Sequence, residues 1–241
     1  MTPRSDRKSA PRTSPGKDVG ESSPRSSPAK DGSKRLSPDE RRAQLMAVAE
    51  KLFQTKPYDD IGIADVARAA GVAHGLIYHY FSSKEELFLA TFASLAEELL
   101  SRCTIGTAVP ASSFREQSLR GIRGYLDFCE QHAVAYVNLF RGPIAGHTEF
   151  LRICEATRAE LVNRLLLSLS LDPASVPATR LSMRGHVGYA EAVVLEWLDR
   201  RTVSRARVEE LLATTVEAAV AAGLALDGRA ELASGIHPTR R

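Results

Sequence analysis

The sequence predicts an all-α protein. Apolar residues recur at the i, i+3, i+4, i+7 spacing of a helix face in one segment after another. These segments are punctuated by Ser, Gly and Pro at positions that suit helix caps and stops. Strand-like alternation between paired turns is absent.

Order is expected to begin at Ser37-Pro38-Asp39-Glu40. Ser37 suits the N-cap, Pro38 the first helical position, and Glu40 can reach back to close a capping box. Leu45, Val48, Ala49 and Leu52 then mark one apolar face, and Lys56-Pro57 ends the helix, because a residue before proline is pushed out of the α region. A short helix follows over 63–70, with Ile63, Val66, Ala67 and Ala70 inward, and Gly71 supplies a turn. A third short helix is expected over 73–80. Ser82-Ser83-Lys84-Glu85 reads as a second capping box, opening a helix to about Arg102 with Phe88, Phe92, Leu95 and Leu99 inward. After a Gly/Pro/Ser loop near 104–112, helices are expected near 113–130, 133–141, 148–170, 177–201 and 204–225. Breaks fall at Gly142-Pro143, Asp172-Pro173 and Arg201-Thr202.

With 241 residues, 44% hydrophobic and 25% charged, the chain is long enough for one or two domains with a real core. Residues 1–36 carry nine Lys and Arg against four Asp and Glu among Ser, Pro and Gly, so they read as a disordered basic tail. Such a tail either lies along DNA phosphates as an arm or only solubilises the chain. The expected organisation is this tail, a first domain over 37–90 with its last helix running on to about 102, a larger helical domain over 103–227, and a frayed end over 228–241. Cys103, Cys129 and Cys154 form no CxxC pair, which argues against a zinc module or disulfide framework and fits a reducing cytoplasm. No apolar run approaches the ~18–20 residues of a membrane span, and the charged N-terminus does not read as a secretory signal.

Two short helices joined by a tight glycine turn are the pattern of a helix-turn-helix. DVARAAGV meets its demands: Ala67 and Ala70 let the helices cross closely, Gly71 permits the turn and Val72 plugs the gap between them. An exposed second helix of this kind fits a DNA major groove. Residues 37–90, with GIADVARAAGVAHGLIYHYF over 62–81 followed by SSKEEL, resemble the N-terminal DNA-binding domain of TetR-type transcriptional regulators. The resemblance rests on the AxxAGV run, Gly75, the Tyr78-His79-Tyr80-Phe81 block and the Ser-Lys-Glu helix start, and covers about fifty residues.

The resemblance implies that residues 73–79 enter the major groove. His74 and Leu76 then sit at base-contacting positions, while Ala73 and Gly75 let the backbone come close. Tyr78 bonds a phosphate, His79 meets backbone or a base edge, and Lys84 binds phosphate at the next helix start. Ile77 and Phe81 face inward. Three positions depart from the family pattern: Gly62 stands where Thr is common, Ala73 where Ser is frequent and His74 where Lys is frequent. Each loses a capping or phosphate contact. Residues 37–90 hold six Lys and Arg against eight Asp and Glu, so the domain brings little charge of its own to DNA. The rival expectation is an all-α ligand-binding protein or enzyme in which 62–81 is merely core.

His74 and His79 lie five residues apart, off a common helical face, and no nearby Cys, Asp or Glu completes a metal set. GxSxG, HExxH, Walker and Rossmann patterns are all missing, so neither a catalytic residue nor a cofactor is expected. In the C-terminal half, Tyr125, Phe128, Cys129, His132, Tyr136, Leu139 and Phe140 form a stripe with Arg123 and Arg141 nearby. It reads either as core and interface, or as a pocket for an apolar molecule whose polar or acidic head is held by Arg141 or Arg184. The family resemblance favours a small-molecule effector, with an acyl chain as one candidate. Gly185, Gly188, Ala190, Ala192 and Leu198 on one late helix, and Leu211, Leu212, Val216, Ala218, Ala219, Ala222 and Gly223 on the next, suit close helix approach. They either build a homodimer bundle or pack within the chain. The resemblance thus implies a homodimer on a palindromic double-stranded DNA operator, a repressor released when an apolar effector binds; an architectural DNA binder without a pocket is the other possibility.

Overall fold

The computed structural model describes residues 36–103, 113–141 and 143–233. Ten α-helices run in order through them: α1 Pro38–Phe53, α2 Ile63–Ala70, α3 His74–Tyr80, α4 Lys84–Arg102, α5 Phe114–Gln131, α6 Ala133–Arg141, α7 Thr148–Ser168, α8 Pro177–Arg200, α9 Arg205–Leu226 and α10 Ala230–Ala233. The described residues contain no strand, and none of their helices is long and apolar enough to cross a membrane. The basic tail, the loop near 104–112, Gly142 and residues 234–241 lie outside the described residues.

Local chemistry sets the helix starts. At α1 the Ser37 hydroxyl accepts from the Glu40 amide at 3.2 Å, while the Glu40 carboxylate accepts from the Ser37 amide at 2.7 Å. At α4 the cap sits one residue later than the sequence suggests, and the expected box does not close on it. Ser83 is the cap and accepts from the Glu86 amide at 3.0 Å, and the Glu86 carboxylate bonds the backbone amide and hydroxyl of Ser82. Two adjacent serines and two adjacent glutamates allow both registers, and the chain takes the one in which the carboxylate collects two donors. Two single-turn 3-10 segments, Tyr58–Asp60 and Pro143–Gly146, fill stretches expected to be loop. One-turn helix α10 stands where fraying was expected.

The α2–α3 turn depends on Gly71, which ends α2 in the left-handed region at φ 67°. There the Val72 amide reaches back to the Ala67 carbonyl at 3.0 Å, and Val72 packs on the core shared by α1 to α4. That core, built on Leu45, Ala49, Phe53, Val66, Ile77, Phe81, Leu87 and Phe88, continues into Leu139 of α6 and Phe150 of α7. A second cluster joins α7, α8 and α9 around Leu166, Met183 and Val220. A third joins α4, α5, α6, α8 and α9 around Leu126, Cys129, Val194 and Trp197.

Candidate nucleic-acid interface and effector cavity

The sequence of α3 divides by face. Ile77 and Phe81 are buried to 0% and 1% exposure against α1 and α2, each burial contributing about 1.5–3 kcal/mol. Ala73, His74, Gly75, Tyr78 and His79 are exposed, Tyr78 at 50%, while Leu76 is half-buried. The rings of His74 and Tyr78 meet edge to face at 5.4 Å, one turn apart, and make a continuous polar-tipped ridge. Tyr78 is thus no core residue. Ala73 caps α3 without a side-chain bond, whereas at α2 the Gly62 amide is satisfied by the Asp65 carboxylate at 2.9 Å. Hydrogen bonding to Gly62, ahead of contacts with Arg68, holds the Asp65 carboxyl below its ordinary range. Lys84, the first residue of α4, places its ammonium 3.9 Å from the centre of the Tyr58 ring.

A cavity of about 170 Å³ lies among α4, α5, α6, α7, α8 and α9, with mostly apolar walls. Of the residues the sequence suggests for a pocket, it brings together Tyr125, Phe128, His132, Tyr136 and Phe140. The Tyr125 and Tyr136 hydroxyls meet at 2.7 Å, and burial pushes both phenols well above their ordinary range. Arg141 and Arg184, the two arginines suggested for the head, do not line the cavity, and neither does Arg123. Arg123 bonds Glu209 at 3.1 Å, Arg141 bonds Asp199 at 2.9 Å, and Arg184 bonds Glu155 at 2.9 Å, all towards solvent. Each guanidinium finds a surface carboxylate on another helix, which sequence spacing does not reveal.

The wall instead carries Arg158 and Glu191, joined across α7 and α8 by three contacts of 2.7–3.1 Å. This forked pair raises the Arg158 pKa further above its ordinary value. His186 also lines the cavity, and burial pushes its pKa down to about 4, so it stays neutral. Two polar atoms of the wall, Ser118 Oγ and His132 Nε2, are buried without a hydrogen-bond partner among the described residues. Those residues hold no cluster of three or more His, Cys, Asp or Glu that could hold a metal ion.

The small-residue stripes also divide. Leu212, Val216 and Gly223 are buried within the single chain, Val216 and Leu212 in the cavity wall, and Leu198 and Ala219 are half-buried. The buried three pack α9 on its own chain, while Leu198 of α8 and Ala219 of α9 stay partly open. Gly185 and Ala192 are exposed and Gly188 half-exposed, in line with exposed Leu181 and Tyr189 along one face of α8. On α9 the exposed apolar face is Leu211, Ala218, Ala222 and Leu226, the last 81% exposed.

Two family models match the chain: "Bacterial regulatory proteins, tetR family" over residues 45–91, and "Tetracyclin repressor-like, C-terminal domain" over residues 114–221. The chain belongs to the tetR family.

Among tetR-type relatives, the transcriptional activator FasR of Mycolicibacterium smegmatis is 34% identical over 44% of this chain and 48% of its own length. The regulator EthR of Mycobacterium tuberculosis is 26% identical over 76% of this chain and 73% of its own. The chain spans only about half of FasR, and 40% of the EthR of M. smegmatis, in these matches. A crystal structure of a tetR-family regulator from Streptomyces coelicolor is 29% identical, covers 83% of this chain and 90% of that one, and superposes with a TM-score of 0.72. The tetR match over 45–91 contains α2, α3 and the exposed ridge, and the C-terminal match contains the cavity stripe of α5 and α6.

Proposed function

We propose that this tetR-family chain is a ligand-responsive DNA-binding regulator that acts as a homodimer in the cytoplasm. The observation that carries the reading is α3 itself, pinned by buried Ile77 and Phe81 while His74, Tyr78 and His79 face solvent. In this reading residues 37–90 form the DNA-binding domain. His74, Leu76 and His79 read base edges, Tyr78 and Lys84 hold phosphate, and Ala73, Gly75 and Gly62 let the backbone approach. Lys84 reaches phosphate by leaving the Tyr58 face.

The cavity is the effector site, with Tyr125, Phe128, His132, Tyr136 and Phe140 in its wall. Dimerisation uses the exposed faces of α8 and α9, which would place two recognition helices in successive major grooves of a palindromic operator. Effector binding favours a form in which α4 holds the two recognition helices at the wrong separation, and the chain acts as a repressor that then leaves DNA. The named activity of FasR, activation, is the alternative sign.

Selection of bound fragments from random DNA tests the core of this. A palindromic consensus is expected, with half-sites about one helical turn apart; the absence of any enriched palindrome would overturn it. A reporter gene behind the selected site reads the sign of regulation.

A further inference from the structure

We infer that the cavity takes an uncharged, largely apolar molecule that offers a hydrogen-bond acceptor to Nε2 of His132. The inference rests on the proposed effector role of the cavity and names the chemistry of its occupant.

His132 follows the last turn of α5, is 1% exposed, and lines the cavity. Its two ring nitrogens are differently placed. The Gln54 side-chain nitrogen lies 3.2 Å from Nδ1 and 3.3 Å from the Glu50 carboxylate. A carboxylate only accepts, so this amide end is the NH2 group, and it donates to Nδ1 as well. With Gln54 donating to Nδ1, we assign the ring proton to Nε2. That N–H finds no acceptor. The nearest carboxylate oxygen, of Glu98, is 3.8 Å away, beyond hydrogen-bond reach, and Glu98 is engaged by Arg102. A buried donor without a partner is costly, and an acceptor arriving through the cavity relieves it.

Charge decides the class. An anionic head at His132 would face Glu50, 3.5 Å from Nδ1, and Glu98 beside Nε2. The wall offers no compensation. Arg158 is committed to Glu191, Arg164 donates to Glu160 and to the Leu100 carbonyl, and His186 is neutral. Bringing a carboxylate into such surroundings costs far more than burying a ketone, ester or alcohol oxygen. An ammonium head meets the carboxylates but has no lone pair for Nε2–H.

The test uses the full chain and four ten-carbon probes: decane, decan-2-one, decanoate and decylammonium, with affinity read by calorimetry at neutral pH. Decan-2-one is expected to bind about fivefold tighter than decane, the worth of one net hydrogen bond, and at least about tenfold tighter than decanoate or decylammonium. His132→Phe should erase the advantage of the ketone over decane, both affinities being compared within the variant. His132→Gln, which keeps an N–H donor, should recover part of it. Melting curves of both variants confirm that they fold, and the wild-type series stands alone if either does not. Decanoate or decylammonium binding as tightly as the ketone, or a ketone advantage that survives His132→Phe, overturns the inference and leaves the cavity an effector site. Failure of all four probes to bind overturns both readings.

Discussion

Gly223 of α9 lies directly against Thr179 of α8: a Cβ on the glycine would stand 2.3 Å from the threonine Cα and 2.9 Å from its backbone nitrogen. No side chain can yield there, because both neighbours are backbone. Close by, Asp227 accepts from the Ala178 and Thr179 amides at 2.9 and 2.8 Å, and from the Thr179 hydroxyl at 2.6 Å. The start of α8 and the end of α9 are thus fastened by a close approach and a shared carboxylate within one chain.

Gly223→Ala should therefore destabilise the folded protomer by about 3 kcal/mol, the upper end of overpacking costs. The urea midpoint of the variant checks this. A midpoint equal to wild type would show that α8 and α9 can separate freely.

Tyr78→Ala and Ile77→Ala form a contrasting pair. The first should leave the melting temperature nearly unchanged and reduce DNA affinity, because the tyrosine ring is half exposed. The second should cost about 2–5 kcal/mol of stability. Calorimetric melting with a DNA-binding titration separates the two effects, and a large melting loss for Tyr78→Ala would return α3 to the core.

Leu181→Arg or Leu226→Arg should yield folded monomers that lose operator binding, as both residues are exposed on the apolar faces of α8 and α9. Val216→Arg should instead unfold the chain, since a charge would enter the cavity wall. Sedimentation of the first two variants as intact dimers would refute this interface.

The line between right and wrong expectations follows the range of the interaction. Ser37 and Glu40, Gly71 and Val72, and Ile77 and Phe81 act within a turn or two, so their spacing already states the geometry. Ser83 shows the limit of even that, because a neighbouring serine offers an alternative register. Arg158 and Glu191 stand 33 residues apart and meet only after α7 and α8 pack, so no local pattern marks them. Arg123, Arg141 and Arg184 fail for the same reason, each taken by an acid from another helix. Leu212 and Val216 show a third case. An apolar stripe tells that a face is covered, but the cover here is the chain's own α5, α7 and α8.

Stability should fall in mild acid through His186. Its folded-state pKa of about 4 lies below the ordinary 6.5 because burial disfavours the charged ring. The unfolded chain binds the extra proton between these values. The stabilisation is therefore complete above the ordinary value and is lost as pH falls towards 4, about 3 kcal/mol in all. His186→Leu should remove that part of the acid loss, as read from urea unfolding at neutral pH and near pH 4. Equal acid losses in variant and wild type would exclude the assignment.

Deleting residues 2–35 should lower DNA affinity and flatten its salt dependence, because the nine cations of residues 1–36 exceed the six of residues 37–90. An unchanged slope of log affinity against log salt would show that the tail stays off the DNA.

The bare cap of α3 carries a dynamic consequence. Seven residues are too few to hold a helix by themselves, and Ala73 gives the first turn no side-chain bond. Two buried side chains, Ile77 and Phe81, fasten α3 from behind, whereas the nineteen residues of α4 begin on a side-chain cap and a serine-bound glutamate. The amides of α3 should thus open more readily than those of α4, and in deuterium exchange ahead of them. Bound DNA then acts on a local folding equilibrium, and slowed exchange across His74 to Tyr80 becomes a residue-by-residue record of operator contact.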